Sequence, residues 1–157
     1  MQFIKRIRNR FLVWKYPYLK PRTFDGKEIP NYKYDFTDLD CYPSGWLKTI
    51  KKYLNELNVI LKEYGELDNF FITDAKEKWG SARLYFGGIT NDECNEKVTK
   101  LITEMELETE KTCSWCGKKA EYRSTGYILP FCGKCSHVQK CLLHFEKIED
   151  QNETNDN

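Results

Sequence analysis

Cys113-Ser114-Trp115-Cys116-Gly117 and Cys132-Gly133-Lys134-Cys135 decide how the last third of this chain folds. They are two C-x-x-C pairs with fifteen residues between them. Thiolates two residues apart reach one ion when the backbone turns sharply between them, and a second pair closes a tetrahedral shell around Zn2+. The glycines permit that turn and let backbone N–H groups point at sulfur, which stabilises thiolate charge. A four-cysteine zinc ribbon with a structural ion, on Cys113, Cys116, Cys132 and Cys135, is expected, against the alternative of two disulfides. So small a module buries too little apolar surface to fold alone, so the metal has to supply much of its folding energy. Four thiolates leave no open position for water, which disfavours a catalytic zinc.

The composition favours metal over disulfides. The chain has 157 residues, room for one ordinary domain or two small ones, and its seven cysteines leave one thiol over if all pair as disulfides. Met1 to Arg10 is basic with isolated apolar residues and lacks the continuous apolar core of a secretory signal. No run is long enough to span a bilayer. A cytoplasmic location follows as the expectation, where thiols stay reduced. The net charge of +1 names no partner by itself.

Outward from the knuckles, Lys119–Arg123 and Tyr127–Phe131 are expected to pair as short strands, with Ser124-Thr125-Gly126 turning between them. Lys118, Lys119, Arg123 and Lys134 make this module locally basic, with Glu121 the single acid. Val138, Cys141, Leu142, Phe145 and Ile148 outline a short terminal helix. Cys141-x-x-His144 has ligand spacing but lacks a second pair, and Cys41 and Cys94 are lone thiols read as small core residues. From Glu146 the chain is polar and mostly acidic, and residues 149–157 are expected to be a disordered tail.

Upstream, Ser44 to Tyr64 reads as a long helix. Trp46, Ile50, Tyr53, Leu54, Leu57, Ile60, Leu61 and Tyr64 recur at helical period, Ser44 is a candidate cap and Gly65 suits the C-terminal end. A second helix is expected from about Thr90, where Thr90 and Glu93 have capping-box spacing, with Cys94, Val98, Leu101, Ile102 and Met105 as its apolar stripe. Between them, Phe70 to Phe86 reads as a β-hairpin reversing near Gly80. A two-residue turn at Trp79-Gly80 sets Lys76 opposite Arg83, a like-charge pair. A three-residue loop, Trp79 to Ser81, sets Glu77 opposite Arg83 and is the preferred register. The hairpin has two uses: a cross-strand ion pair that only holds it together, or a basic tip presenting Lys76, Lys78, Trp79 and Arg83 to a polyanion or protein partner. One carboxylate among cations makes no hydrolytic constellation.

Residues 1–43 form a basic, proline-rich arm. Its first 24 residues hold seven cations (Lys5, Arg6, Arg8, Arg10, Lys15, Lys20 and Arg22) and no acid. Phe3, Ile4, Ile7, Phe11 and Leu12 recur at helical spacing. A helix docked on the domain by this stripe is the first expectation; a charged face meeting nucleic acid, anionic lipid or an acidic partner is the alternative. Prolines 17, 21, 30 and 43 keep the rest of the arm extended, with its aromatics packed on the domain. The expected architecture is α+β: a helix-hairpin-helix unit over 44–110, then a ribbon with a short terminal helix over 111–148.

Gly45-Trp46, the long helix, the Lys76-Glu77-Lys78-Trp79-Gly80 block with Arg83 and Tyr85 behind it, and the C-x-x-C-G knuckle occur in an order that resembles small zinc-ribbon proteins of bacteriophages and mobile elements. The resemblance covers residues 44–136; Trp79 stands where that group has phenylalanine and Ala82 where it has leucine. Relatives often carry a histidine near the last ligand, which makes His137 an alternative fourth ligand. The resemblance implies a phage or mobile-element origin and supports the zinc site, but supplies no activity. It favours an interaction protein that binds, and inhibits, a host protein or ribonucleoprotein such as a CRISPR nuclease. A nucleic-acid-binding ribbon is the second expectation, and a small nuclease using Glu77 with Lys76 and Lys78 the third.

Overall fold

A computed structural model describes residues 2–148, so the expected tail over 149–157 lies outside the described residues. The chain is α+β. Helix α1 (Gln2–Lys15) leads into an irregular arm, then come α2 (Leu47–Glu63), strands β1 (Phe71–Lys78) and β2 (Ser81–Gly87), and α3 (Asp92–Glu110). The ribbon follows as β3 (Tyr122–Ser124), β4 (Pro130–Phe131), α4 (Gly133–Gln139) and β5 (Phe145–Lys147). Among the described residues the strands form two antiparallel sheets, β1-β2 and β4-β3-β5.

The body is built on the stripe read from α2. Ile50, Tyr53, Leu54, Leu57 and Leu61 bury against Cys94, Val98, Leu101, Ile102 and Met105 of α3 and against Ile72, Ala75, Ala82 and Leu84 of the hairpin. Ser44 does not cap α2: it opens a 3-10 turn, Ser44–Trp46, that runs straight into the helix. Gly65, at φ +67, does end it. Helix α3 is capped one residue later than the spacing indicated. Asn91 accepts the Cys94 N–H at 2.9 Å, while Thr90 is drawn away to donate to Glu66. That buried carboxylate takes the Thr90 hydroxyl (2.6 Å) and N–H (3.0 Å), the Asn91 N–H (2.8 Å) and the Asn69 amide (2.7 Å). These donors, the Thr90 and Asn69 side chains foremost, hold it at a pKa of about 2.

The hairpin adopts the register with Lys76 opposite Arg83, not Glu77 opposite Arg83. Its two-residue turn, Trp79-Gly80, puts both residues at positive φ (+58 and +83), the mirror-image geometry that matches strand twist. Lys76 and Arg83 escape mutual repulsion because each has its own carboxylate. Lys76 pairs with Asp74 and lies 5.3 Å over the Tyr85 ring, and Arg83 pairs with Glu106 of α3. A bulge at Thr73 shifts the strand between Ile72 and Asp74.

The arm is more than a surface cover. Tyr16, Tyr18 and Leu19 are no more than 2% exposed. Tyr18 donates to the Leu54 carbonyl at 3.0 Å and meets Phe70 edge-on at 5.1 Å, and Tyr42 donates to the Arg83 carbonyl at 2.7 Å. Helix α1 forms, but mounted the other way round from the docked arrangement. Asn9 and Leu12 face the body, while Phe3, Ile4, Ile7, Phe11 and Trp14 are 54–77% exposed. Polar anchoring explains the inversion: Arg6 pairs with Asp35 at 2.6 Å, Arg8 with Asp40 at 2.7 Å, and Asn9 donates to the Tyr34 carbonyl at 2.8 Å. Each side chain of that size left in water forgoes about 1.5–3 kcal/mol that burial provides.

The terminal helix is displaced. Helix α4 begins inside the second knuckle and ends at Gln139, and Phe145–Lys147, expected to be helical, is strand β5 on the free edge of β3. Phe145 meets Phe131 edge-on at 5.2 Å, so tertiary pairing overrides the local spacing.

Candidate metal centre and hairpin tip

The two knuckles arrive from different elements. Cys113 and Cys116 follow α3, after a turn closed by the Gly117 N–H to the Cys113 carbonyl (2.9 Å) and the Cys113 N–H to the Lys118 carbonyl (2.7 Å). Gly117 sits at φ +76, a conformation that favours glycine. Cys132 follows β4 and precedes α4, and Cys135 lies in the first turn of α4, where the Ser136 N–H bonds the Cys132 carbonyl at 2.9 Å. All four Sγ atoms lie within 4.8 Å of one another. Cys116 and Cys132 are 3.6 Å apart, far beyond the roughly 2.05 Å of a disulfide and close to the about 3.8 Å edge of a tetrahedron with 2.3 Å metal–sulfur bonds. All seven cysteines are free thiols.

The four residues therefore fit a metal ion. Burial pushes the Cys132 thiol up, but the Cys135 N–H and the neighbouring thiols outweigh it and bring the group to about 7; burial and the same neighbours raise Cys135. His137 is exposed on α4 and stands outside the cluster, as do exposed Cys141 and His144. Cys94 is buried as expected, whereas Cys41 is exposed.

Sequence reasoning missed the joint between centre and body. The Gly45 N–H donates to the Ser114 carbonyl at 2.9 Å, and the Trp46 indole, fully buried, donates to the Thr112 carbonyl at 2.8 Å. A β-carbon on Gly45 would lie 2.4 Å from the Cys113 carbonyl oxygen, so only glycine admits the knuckle this close. The Gly-Trp pair ahead of a long helix was the available signal, but nothing local says what it packs against.

The hairpin residues singled out as a basic tip do not act together. Lys76 and Arg83 are occupied by Asp74 and Glu106, whereas Lys78 has no carboxylate partner among the described residues and Trp79 is 68% exposed. Glu77 turns toward the ribbon, accepting the Gly80 N–H at 2.9 Å and the Tyr127 hydroxyl. Gly80 packs on Ile128. Tip and ribbon loop so enclose a shallow cavity of about 320 Å3 lined by Glu77, Lys78, Trp79, Gly126, Tyr127 and Ile128. Tyr127 belongs to this surface by virtue of the fold, not of its sequence neighbourhood.

Among the described residues no helix is long and apolar enough to cross a membrane. Comparison with protein-family models, curated proteins and solved structures gave no match.

Proposed function

We propose that the chain is a non-catalytic interaction protein of phage or mobile-element type, whose Zn2+, on Cys113, Cys116, Cys132 and Cys135, is a structural staple. Four thiolates suit zinc by softness and by number, and they fill its tetrahedral shell. The ion would hold the ribbon in shape, and Gly45 and Trp46 would transmit that shape to the body through Ser114 and Thr112. The partner surface is the composite of hairpin tip and ribbon loop, with Lys78, Trp79 and Tyr127 as its contacts, and its target is a host protein or ribonucleoprotein such as a CRISPR nuclease. The observation that carries this is the exposure of two aromatic side chains, Trp79 at 68% and Tyr127 at 65%, on two elements that brace each other through Glu77. Preformed aromatic anchors are what interface hot spots use.

Affinity purification from the native host with wild-type and Trp79→Ala/Lys78→Glu protein of equal zinc content tests it. A stoichiometric partner kept by the wild type and lost by the variant is expected. No stoichiometric partner, or one the variant retains, removes the proposal.

A direct nucleic-acid interface is the second reading. Lys118, Lys119, Arg123 and Lys134 of the ribbon are all exposed and lack carboxylate partners among the described residues. Binding that weakens steeply with salt, through counterion release, is its signature.

A further inference from the structure

Helix α1 presents its apolar stripe to solvent, while Lys5, Arg6 and Arg8 pair with carboxylates of the arm. At 3.6 residues per turn, Phe3, Ile4, Ile7, Phe11 and Trp14 fall within an arc of roughly 100°. Asn9, wholly buried, lies on the opposite side. The stripe is not a loose end. Arg6 to Asp35, Lys5 and Arg8 to Asp40, and Asn9 to the Tyr34 carbonyl fasten the other face to the arm, so the body fixes the direction in which the stripe points. Phe11 and Trp14 lie against each other, ring centroids 5.7 Å apart, with neither covered.

What covers the stripe is decided by the charges at its borders. Arg10 flanks the arc on one side and Lys15 on the other; both are exposed, and neither has a carboxylate partner among the described residues. The nearest aromatic rings to them, Tyr34 under Arg10 and Tyr16 under Lys15, carry no charge that would neutralise them. The chain has no acid before Asp25. A second copy seated stripe to stripe would bring four such cations together with nothing on either helix to offset them. A nucleic acid would satisfy the cations and leave five large apolar side chains in water. An anionic lipid surface answers both: the stripe enters the acyl boundary while Arg10 and Lys15 meet headgroup phosphates. Phenylalanine, isoleucine and tryptophan on one face with basic residues beside them is the composition of a helix that lies in the interface without crossing it.

We infer that α1 is a peripheral membrane anchor that lays Phe3, Ile4, Ile7, Phe11 and Trp14 into an anionic lipid surface, and so holds the body and ribbon at that surface with the Asn9 side of the helix turned toward the protein.

Density-gradient flotation of the full-length, zinc-loaded protein tests this. The probes are vesicles of phosphatidylcholine alone and of phosphatidylcholine mixed with phosphatidylglycerol, with light scattering of the free protein run alongside. The protein is expected to float with the anionic vesicles and roughly tenfold or more less with the neutral ones. Ile7→Ser/Phe11→Ser should abolish flotation on both, and Arg10→Gln/Lys15→Gln should remove only the preference for anionic lipid. Ile7, Phe11, Arg10 and Lys15 are exposed, so circular dichroism and zinc content should stay at wild-type values in both variants. Equal flotation on both vesicle types, no flotation on either, or flotation that survives Ile7→Ser/Phe11→Ser overturns the inference. So does a concentration-dependent dimer that the same variant turns into a monomer, which would make a second copy the occupant.

Discussion

The body and the ribbon of this protein are held together by different means. The body gathers twenty-two buried residues from the arm, α2, the hairpin and α3 into one apolar cluster. The ribbon's own cluster has three, Cys113, Phe131 and Cys132, and two of those are thiols. Apolar burial is enough for the first; for the second, the metal proposed on its four thiolates would have to stand in for a core. The two meet at Gly45 and Trp46 and again where the hairpin tip touches the ribbon loop, so damage to either is expected to stop at those joints.

Removing one ligand gives the largest separation. Cys116→Ser should release the metal and unfold residues 113–148, because bound zinc contributes on the order of 10–16 kcal/mol to modules of this kind. Loss of zinc by atomic emission, with amide spectra of α2 and α3 unchanged, is the expected result. Trp46→Ala attacks the same boundary from the body side. Truncating a fully buried tryptophan costs about 3–5 kcal/mol and strips the Thr112 carbonyl of its donor, so the denaturation midpoint should fall sharply while a folded fraction still holds zinc.

Asp38 sharpens the comparison by pH. Burial, with Asp74 beside it, raises its carboxyl from 3.8 to about 7. Its folded pKa lies above its unfolded one, so the native state binds the extra proton between those values. This group's effect on stability is constant below about pH 4, turns against folding as pH rises toward 7, and is constant again above it. Asp38→Asn should abolish that slope and raise stability at pH 8 by on the order of 1–3 kcal/mol, with zinc content unaltered. The metal responds oppositely, since acid protonates its thiolates and weakens binding. The smallest effect is expected of Glu77→Gln. Weakening its bonds to Tyr127 and Gly80 should cost about 0.5–1.5 kcal/mol and loosen the hairpin tip from the ribbon loop, read as faster hydrogen exchange at 79–81 and 126–128.

The parts legible in the sequence are those whose signals are local. The C-x-x-C spacing names four residues that do converge, and the 3.6-residue stripe of α2 buries as read. What failed depends on distant partners. The like-charge register looked costly because Asp74 enters through a bulge and Glu106 from another helix. Thr90 is drawn to Glu66, twenty-four residues away, and leaves the cap to Asn91. Phe145–Lys147 is too short to show strand alternation, and only the open edge of β3 makes it one. Phe3, Ile4, Ile7 and Phe11 of the α1 stripe do share a face, but Leu12 leaves it for the core and Trp14 joins it, and its direction is set by Asp35 and Asp40, which no periodicity reveals. Gly45 stands out in the sequence only as part of the Gly-Trp pair, and what makes it indispensable, the Cys113 carbonyl beside it, is visible only in space.

Hydrogen exchange of the full-length protein with and without a zinc chelator tests the division most directly. Loss of protection throughout residues 113–148, with α2 and α3 as protected as before, is the predicted result. A ribbon that keeps its protection after the metal is gone, or a body that loses its own together with the ribbon, would contradict it.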